Sequence, residues 1–435
     1  MSQSMDGQDY TATESFEAAI ACIDGGAPLT FISGKAGTGK STFTKRELTK
    51  LRGNTVFLSP TGIAALNIGG QTIHSFFSLE HGLQRPERIK ASRQTEIYRG
   101  LDTVVIDEIS MVRADLMDAI DQALRVNRQS DEPFGGVQLI LIGDLYQLPP
   151  VVNREEKPAF TPGGLYANRY FFHSRVIRAA IMRQEFKYIK FAEVFRQADP
   201  DFVALLEAVR HGRLGNDVIR RLNQRVCREE IIPDLDDVTV LTCTNEAANA
   251  YNATRLEALP AAKRLYQADV TGSFNRDDFP TQPILALKPG AKVIFIKNDP
   301  GKAWVNGTTG IVTELDENEV MVEIGGHEHP VARETWEKYV YRMRDGVLEK
   351  MVTGKFTQFP LKLGWALTIH KSQGLTLNNL YLDTGRGAFD SGQTYVALSR
   401  VRRMENIYLK QPVTNRDLLI DSSIIKFLDY IERFA

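Results

Sequence analysis

An apolar run, Pro28-Leu29-Thr30-Phe31-Ile32-Ser33, leads directly into Gly34-Lys35-Ala36-Gly37-Thr38-Gly39-Lys40-Ser41. The second segment is a complete G-x-x-x-x-G-K-[ST] pattern, and the order buried strand, glycine loop, helix leaves few folds open. The glycines let backbone N–H groups turn inward around phosphate oxygens, and a helix starting near Ser41 adds its positive end. In such a loop Gly34, Ala36, Gly37, Thr38 and Gly39 form the cradle. Lys40 reaches the β- and γ-phosphates, and the Ser41 hydroxyl holds Mg²⁺.

The rest of the first half repeats strand-then-helix. Thr55–Ser59, Thr103–Asp107 and Gln138–Asp144 are apolar almost without alternation, as strands covered on both faces should be. The expectation is an α/β fold with a parallel sheet whose carboxyl ends gather the chemistry. Asp107-Glu108 ends one strand: Asp107 suits Mg²⁺ through its water shell, and Glu108 suits the attacking water. Gln147, after the next strand, can sense the γ-phosphate, although the two following prolines would explain a mere strand exit. Arg196 and Arg400 are candidate arginine fingers, Arg400 ending Gly392-Gln393-Thr394-Tyr395-Val396-Ala397-Leu398-Ser399-Arg400. A nucleotide gripped by both loop and arginine would sit between two lobes.

A second α/β unit starts near Val238–Thr244 and resumes with Leu380–Asp383 and Ile407–Leu409. Between them, from about 287 to 359, short alternating strands and turns read as an inserted β-barrel.

Composition constrains partners. The 435 residues carry a formal net charge of −1, so nucleic acid would need a local basic track rather than a global field. Residues 169–190 offer one such run, or simply a solvated helix face. Thr61 beside free backbone N–H groups suits a backbone phosphate, and His74 with Phe76 pairs a polar donor with an aromatic face. Phe76 could equally be core. Cys22, Cys227 and Cys243 lie far apart, which predicts reduced thiols in a cytosolic compartment and no zinc site. No apolar run reaches spanning length, so no membrane partner is expected.

These segments resemble, in order, the motifs of the petite integration frequency (PIF) helicases of superfamily 1, subclass B, related to RecD-type and Dda-type helicases. The most specific are SPTGIAALNIGGQTIHSFF, VVIDEISMV, LIGDLYQLPPV, VFRQ, LGWALTIHKSQGLTL and GQTYVALSRVR. The resemblance implies two RecA-like lobes that use ATP and Mg²⁺ to move 5′→3′ on single-stranded DNA and open duplexes. Lys40, Ser41, Asp107, Glu108, Gln147, Arg196, Gly374 and Arg400 match the ATP-site motifs. Thr61, His74, Thr242, Lys297, Asn298, Thr368, His370 and Lys371 fall in segments resembling strand-contacting motifs. Trp304 and Asn306 lie in a family-like W-x-N-G-T turn of an SH3-like barrel, where Trp304 reads first as a packing residue.

The implied layout is a flexible tail over 1–15, a first lobe over 16–190 with a small wedge at about 78–100, and a second lobe over 191–286 and 360–435 interrupted by the barrel at 287–359. Implied partners are single-stranded DNA and tailed or forked duplexes, with G-quadruplex or RNA–DNA hybrid as further options, for a monomer in the bacterial cytosol or nucleoid. No Gln occupies Phe16-Glu17-Ala18-Ala19, where the family reads adenine, so adenine selectivity stays open. Two alternatives also stay open: a translocase that separates duplexes poorly, and a single-strand clamp whose ATP site is only a switch.

Overall fold

The computed structural model describes residues 13–197, 199–213, 215–232, 237–385, 387 and 390–433. They divide into two compact units. The first comprises 13–195, 337–354 and 421–433; the second comprises 196–336 and 355–420. Most of the tail assigned to 1–15 lies outside the described residues. Its end does not: the Thr13 hydroxyl accepts from Phe16 N and caps a helix over Glu14–Asp24.

The first unit is built on six parallel strands: β1 (Leu29–Gly34), β2 (Thr55–Ser59), β3 (Gln71–Thr72), β4 (Thr103–Ile106), β5 (Gln138–Gly143) and β6 (Phe186–Phe191). Their order is β3-β2-β4-β5-β1-β6. Every residue of β1 and β4 is buried, the environment their unbroken apolar runs require. Because all six run the same way, the ends of β1, β4 and β5 open on one edge of the sheet. Ser33 is level with Gly143, and Leu141 with Ile106.

Two boundaries differ from expectation. The first unit continues past 190, because β6 pairs with β1 from Leu29↔Phe186 to Gly34↔Phe191. The helix Ser422–Glu432 belongs to this unit as well. Its stripe Ile424, Phe427, Leu428 and Ile431 is buried, and Phe427 stacks on Phe172 at 4.1 Å. Lys190 pairs with Glu432 at 2.7 Å. An apolar helical stripe identifies a face needing cover but carries no information about which surface provides it. The basic run over 169–190 is not one track: it divides among a turn, the helix Arg175–Met182 and β6, and Arg183 pairs with Glu185.

The second unit holds a parallel sheet ordered Ala366–Thr368, Val238–Thr242, Asn379–Asp383, Ile407–Leu409. Inserted in it are five antiparallel strands ordered His327–Ala332, Glu319–Ile324, Thr309–Leu315, Lys292–Phe295, Leu361–Leu363. Val293, Phe295, Val312, Val320, Val322, Val331 and Leu361 share its core. The last strand lies beyond 359, so the β region is wider than its sequence texture.

A hairpin, Glu334–Arg344 and Val347–Gln358, leaves this region, and its residues 337–354 belong to the first unit. There β3 pairs only with Leu58 and Ser59, leaving the earlier part of β2 open on that side. The buried Tyr341 hydroxyl accepts from Phe57 N at 3.0 Å. Asn54 bonds Gly346 O and Leu348 N. Lys350 donates to Gly69 O with its ammonium over the rings of Phe57, Tyr339 and Tyr341. Among the described residues no helix is long and apolar enough to cross a membrane.

Candidate functional site

The loop after β1 turns on Gly37 (φ 84°) and Gly39 (φ 82°), left-handed conformations that side chains other than glycine resist. Gly34 is needed for a different reason: a Cβ there would lie 2.5 Å from Thr38 Oγ1 and 3.0 Å from Phe191 Cβ. Thr38 Oγ1 donates to Lys35 O at 3.0 Å, holding the turn closed. The Lys40 ammonium donates to Gly34 O and Lys35 O at 2.6 and 2.8 Å, which poises it over the loop. Ser41 is exposed in the first turn of the helix Lys40–Arg46.

Two neighbouring strand ends add carboxylates and an amide. Burial pushes the Asp107 carboxyl up, while the Glu108 N–H bond and the charges of Lys40 and Lys45 pull it back. Asp107 Oδ1 accepts from Glu108 N at 2.9 Å. Glu108 itself sits at φ 54°, ψ 44°, a left-handed conformation costing on the order of 1 kcal/mol, of the kind that collects at working sites. After β5, the buried Asp144 bonds Tyr146 N at 3.2 Å and Gln147 Nε2 at 3.4 Å, building the turn that holds Gln147. The structure thus gathers the loop, Asp107, Glu108 and Gln147 on one sheet edge. Among the described residues no group of three or more His, Cys, Asp or Glu could hold a metal alone. One hydroxyl and one carboxylate fit instead an ion that takes its other ligands from water and phosphate.

Two residues here carried no assigned role in the sequence. Asp144 organises the Gln147 turn. Phe195, 51% exposed, is anchored by its N–H to Gly37 O at 2.9 Å, and its ring lies 3.6 Å from where a Gly39 Cβ would stand. It offers an apolar planar face beside the loop. Its signal was an exposed aromatic in V-F-R-Q, legible only once β6 had carried it there. Phe16, in the segment lacking glutamine, packs instead on Phe43 and Phe191.

In the second unit, Arg196 and Gln197 meet the segment 397–401. Arg196 and Gln197 both donate to Ser399 O, at 3.3 and 3.2 Å. Arg400, the other candidate finger, is turned inward. It is 1% exposed, and its guanidinium donates inward to Val396 O, Ser372 O and Ser399 Oγ. So placed, it braces Ser399 and the turn that carries Gly374 (φ 83°). Burial, with Arg402 adding to it, lowers the Arg196 pKa.

The strand-contacting candidates fall into three groups. Thr61 caps a helix, accepting from Ala64 N, and His74 stacks on His81 at 5.0 Å; burial and His81 lower its pKa. Phe76 is core: it packs edge-on against Phe77, Tyr98 and Tyr341, so it presents no open face for a base. In the second unit Thr242 and Thr368 are paired in register at the sheet's carboxyl end, with His370 and the exposed Lys371 just beyond. Burial and Lys371 lower the Lys362 ammonium to about 8.

The third group lies in the inserted strands. Lys297 bonds Glu334 at 2.7 Å and Thr335 O, over the Trp336 ring. Asn298 Oδ1 accepts from Asn306 N at 2.7 Å, and among the described residues Asn306 Oδ1 is buried without a partner. Trp304 stacks on Phe295 at 4.4 Å against the core, as a packing residue would.

Residues 13–219 match the PIF1-like helicase family. The chain is 30% identical over 414 residues to the ATP-dependent DNA helicase Pif1 of Bdellovibrio bacteriovorus, covering 92% of this chain and 88% of that one. It is 34% identical to the ATP-dependent DNA helicase PIF1 of Danio rerio over 90% of its own length. It spans only 60% of that relative. The crystal structure of Bacteroides sp Pif1 in complex with ADP-AlF4 superposes with TM-score 0.90 at 33% identity, covering 98% of each chain.

Proposed function

This chain belongs to the PIF1-like helicase family, and from that premise we propose that it is an ATP-driven motor moving 5′→3′ on single-stranded DNA and opening duplexes. The observation that carries the reading is the single sheet edge holding the Lys40 loop, the Asp107-Glu108 pair and Gln147. A purely structural nucleotide site has no use for a carboxylate carried on a left-handed backbone position beside a residue suited to sensing a γ-phosphate.

In this reading Lys40 withdraws from Gly34 O and Lys35 O to the β- and γ-phosphates, and Glu108 orients and deprotonates the attacking water. Gln147 reports whether the γ-phosphate is present. Ser41 and Asp107 would hold Mg²⁺, which when bound neutralises charge on the phosphate oxygens. Arg196 is assigned to the γ-phosphate, with Arg400 bracing it through Ser399. Phe195 is assigned to the face of the nucleotide base. Thr61, His74, Thr242, Lys297, Asn298, Asn306, Thr368, His370 and Lys371 are assigned to the strand. The match to a Bacteroides Pif1 structure bound to single-stranded DNA supports that assignment.

The test is strand separation with Mg·ATP on two duplexes, one with a 5′ tail and one with a 3′ tail, using Lys40→Ala and Glu108→Gln as controls. Unwinding restricted to the 5′-tailed duplex, with both variants reduced at least about 100-fold, is the expected result. Opening of the 3′-tailed duplex alone would overturn the polarity. DNA-stimulated hydrolysis without opening of either would identify a translocase.

A further inference from the structure

The chain folds back on itself directly after the short helix Ile73–Phe77. Ser78 takes a left-handed conformation (φ 54°), and Leu79 N donates to His74 O at 2.9 Å. The return carries His81 onto His74, where the two imidazoles stack with centroids 5.0 Å apart and planes 26° from parallel. His74 is half-buried and His81 is exposed. His81 lies beyond the segment SPTGIAALNIGGQTIHSFF, which ends at Phe77, so the sequence assigned it no contact.

His81 is held in place by its flanks. The buried Gln84 donates through Nε2 to Glu80 O at 2.6 Å and to Gly82 O at 3.0 Å, one bond on either side of His81. Gly82 (φ 102°) makes a turn that other residues resist, and its carbonyl also accepts from Arg113 Nη2 at 2.7 Å. Arg113 is locked in turn, pairing with the buried Asp115 and with Glu156. Asp115 Oδ2 accepts from Gln84 N at 2.7 Å, which closes the circuit. A side chain presented by a backbone so constrained gives up little freedom when it binds.

An exposed imidazole can meet a polyanion in two ways, through charge on a phosphate or through its ring on a base. The surroundings favour the ring. Glu80 is exposed beside it, a repulsive neighbour for a phosphate. Burial and the charge of His81 both lower the His74 pKa, so the two rings resist being cationic together. What the stacked pair offers is a planar surface two rings deep. Histidine is among the side chains on which unpaired bases stack, and such contacts tolerate any base, as movement along a strand of mixed sequence requires.

We propose that His81 is a base platform for single-stranded DNA: one unpaired base stacks on its exposed side and extends the His74–His81 pair into a column of three rings. The proposal rests on the helicase reading above and adds to it a contact outside the motif segments.

The test uses the full chain and oligothymidylate in two forms, one with 5-iodouracil in place of thymine and one abasic. Irradiation of the first, with adducts mapped by peptide mass and fragmentation, is expected to mark His81. By fluorescence anisotropy, His81→Ala should weaken binding of the base-bearing strand roughly fivefold or more and leave binding of the abasic strand unchanged. His81→Phe keeps a planar ring without charge and should restore the affinity. His81→Lys keeps a cation without a ring and should not.

Unchanged affinity in His81→Ala with no adduct on His81 would overturn the proposal. So would an equal loss on both strands or rescue by His81→Lys, either of which identifies a phosphate contact. A chain that binds no strand at all would overturn the helicase reading and this proposal with it. A chain that opens the 5′-tailed duplex equally well with His81→Ala, and binds both strands as before, fails only the proposal.

Discussion

Lys362 shows how a single side chain can record a site's demand. Its ammonium is desolvated beside Lys371, and its pKa falls from 10.5 to about 8. The sign follows from proton counting. Between about pH 8 and 10.5 the folded chain binds fewer protons than the unfolded one, so this residue's contribution to stability improves as pH rises through that window. Lys362 is half-buried by accessible surface, so below about pH 8 its charge carries a partial desolvation cost. Lys362→Met should therefore stabilise the protein at pH 7, on the order of 1 kcal/mol, with the gain gone by about pH 10.5. Urea melts across that range check it, and a loss of stability at pH 7 would show that the charge is compensated. Residues of this kind are hard to see in a sequence. Lys362 sits in an ordinary Leu-Lys-Leu alternation, and only packing takes away part of its water.

Among elements, the hairpin 334–358 is the least expected. Its texture in sequence is that of any exposed alternating ribbon, yet Tyr341 is 4% exposed and its hydroxyl closes the open edge of β2. An uncovered edge is a template for unwanted pairing, and covering it with a side-chain hydroxyl and Lys350 removes that hazard. Tyr341→Phe should leave the Phe57 N–H buried and unpaired and cost about 1–3 kcal/mol by denaturant titration. A cost below about 0.5 kcal/mol would mean that water replaces the hydroxyl. The helix Ser422–Glu432 makes the complementary point. Its apolar stripe was legible, but the Phe171 and Phe172 surface it covers lies some 250 residues earlier.

At the scale of the whole chain, 53 basic residues against 54 acidic ones leave no net field to draw a polyanion. Single-strand binding should then depend on a few local contacts, and its salt dependence should be shallow. Each lost phosphate contact lowers the slope of log K against log salt by about 0.7. Lys371 is exposed, whereas Lys297 already pairs with Glu334. Lys371→Ala should reduce the slope by about that amount, and Lys297→Ala by less. Fluorescence anisotropy on a labelled single strand across a salt series measures both. An unchanged slope for Lys371→Ala would remove it from the strand interface.

The sequence by itself determined the family and the class of fold. The phosphate loop, the Asp-Glu strand end and the Gln147 turn are short-range patterns, in which chemistry depends on neighbours along the chain. Unbroken apolar runs likewise imposed a covered parallel sheet. Tertiary structure alone decided what depends on distant partners. It turned Phe76 into core, drew Arg400 inward, brought Phe195 beside the loop, and left one amide oxygen of Gln71 buried with no partner among the described residues. Burial is a property of the assembled chain, and each of these residues changes its role according to the water it loses.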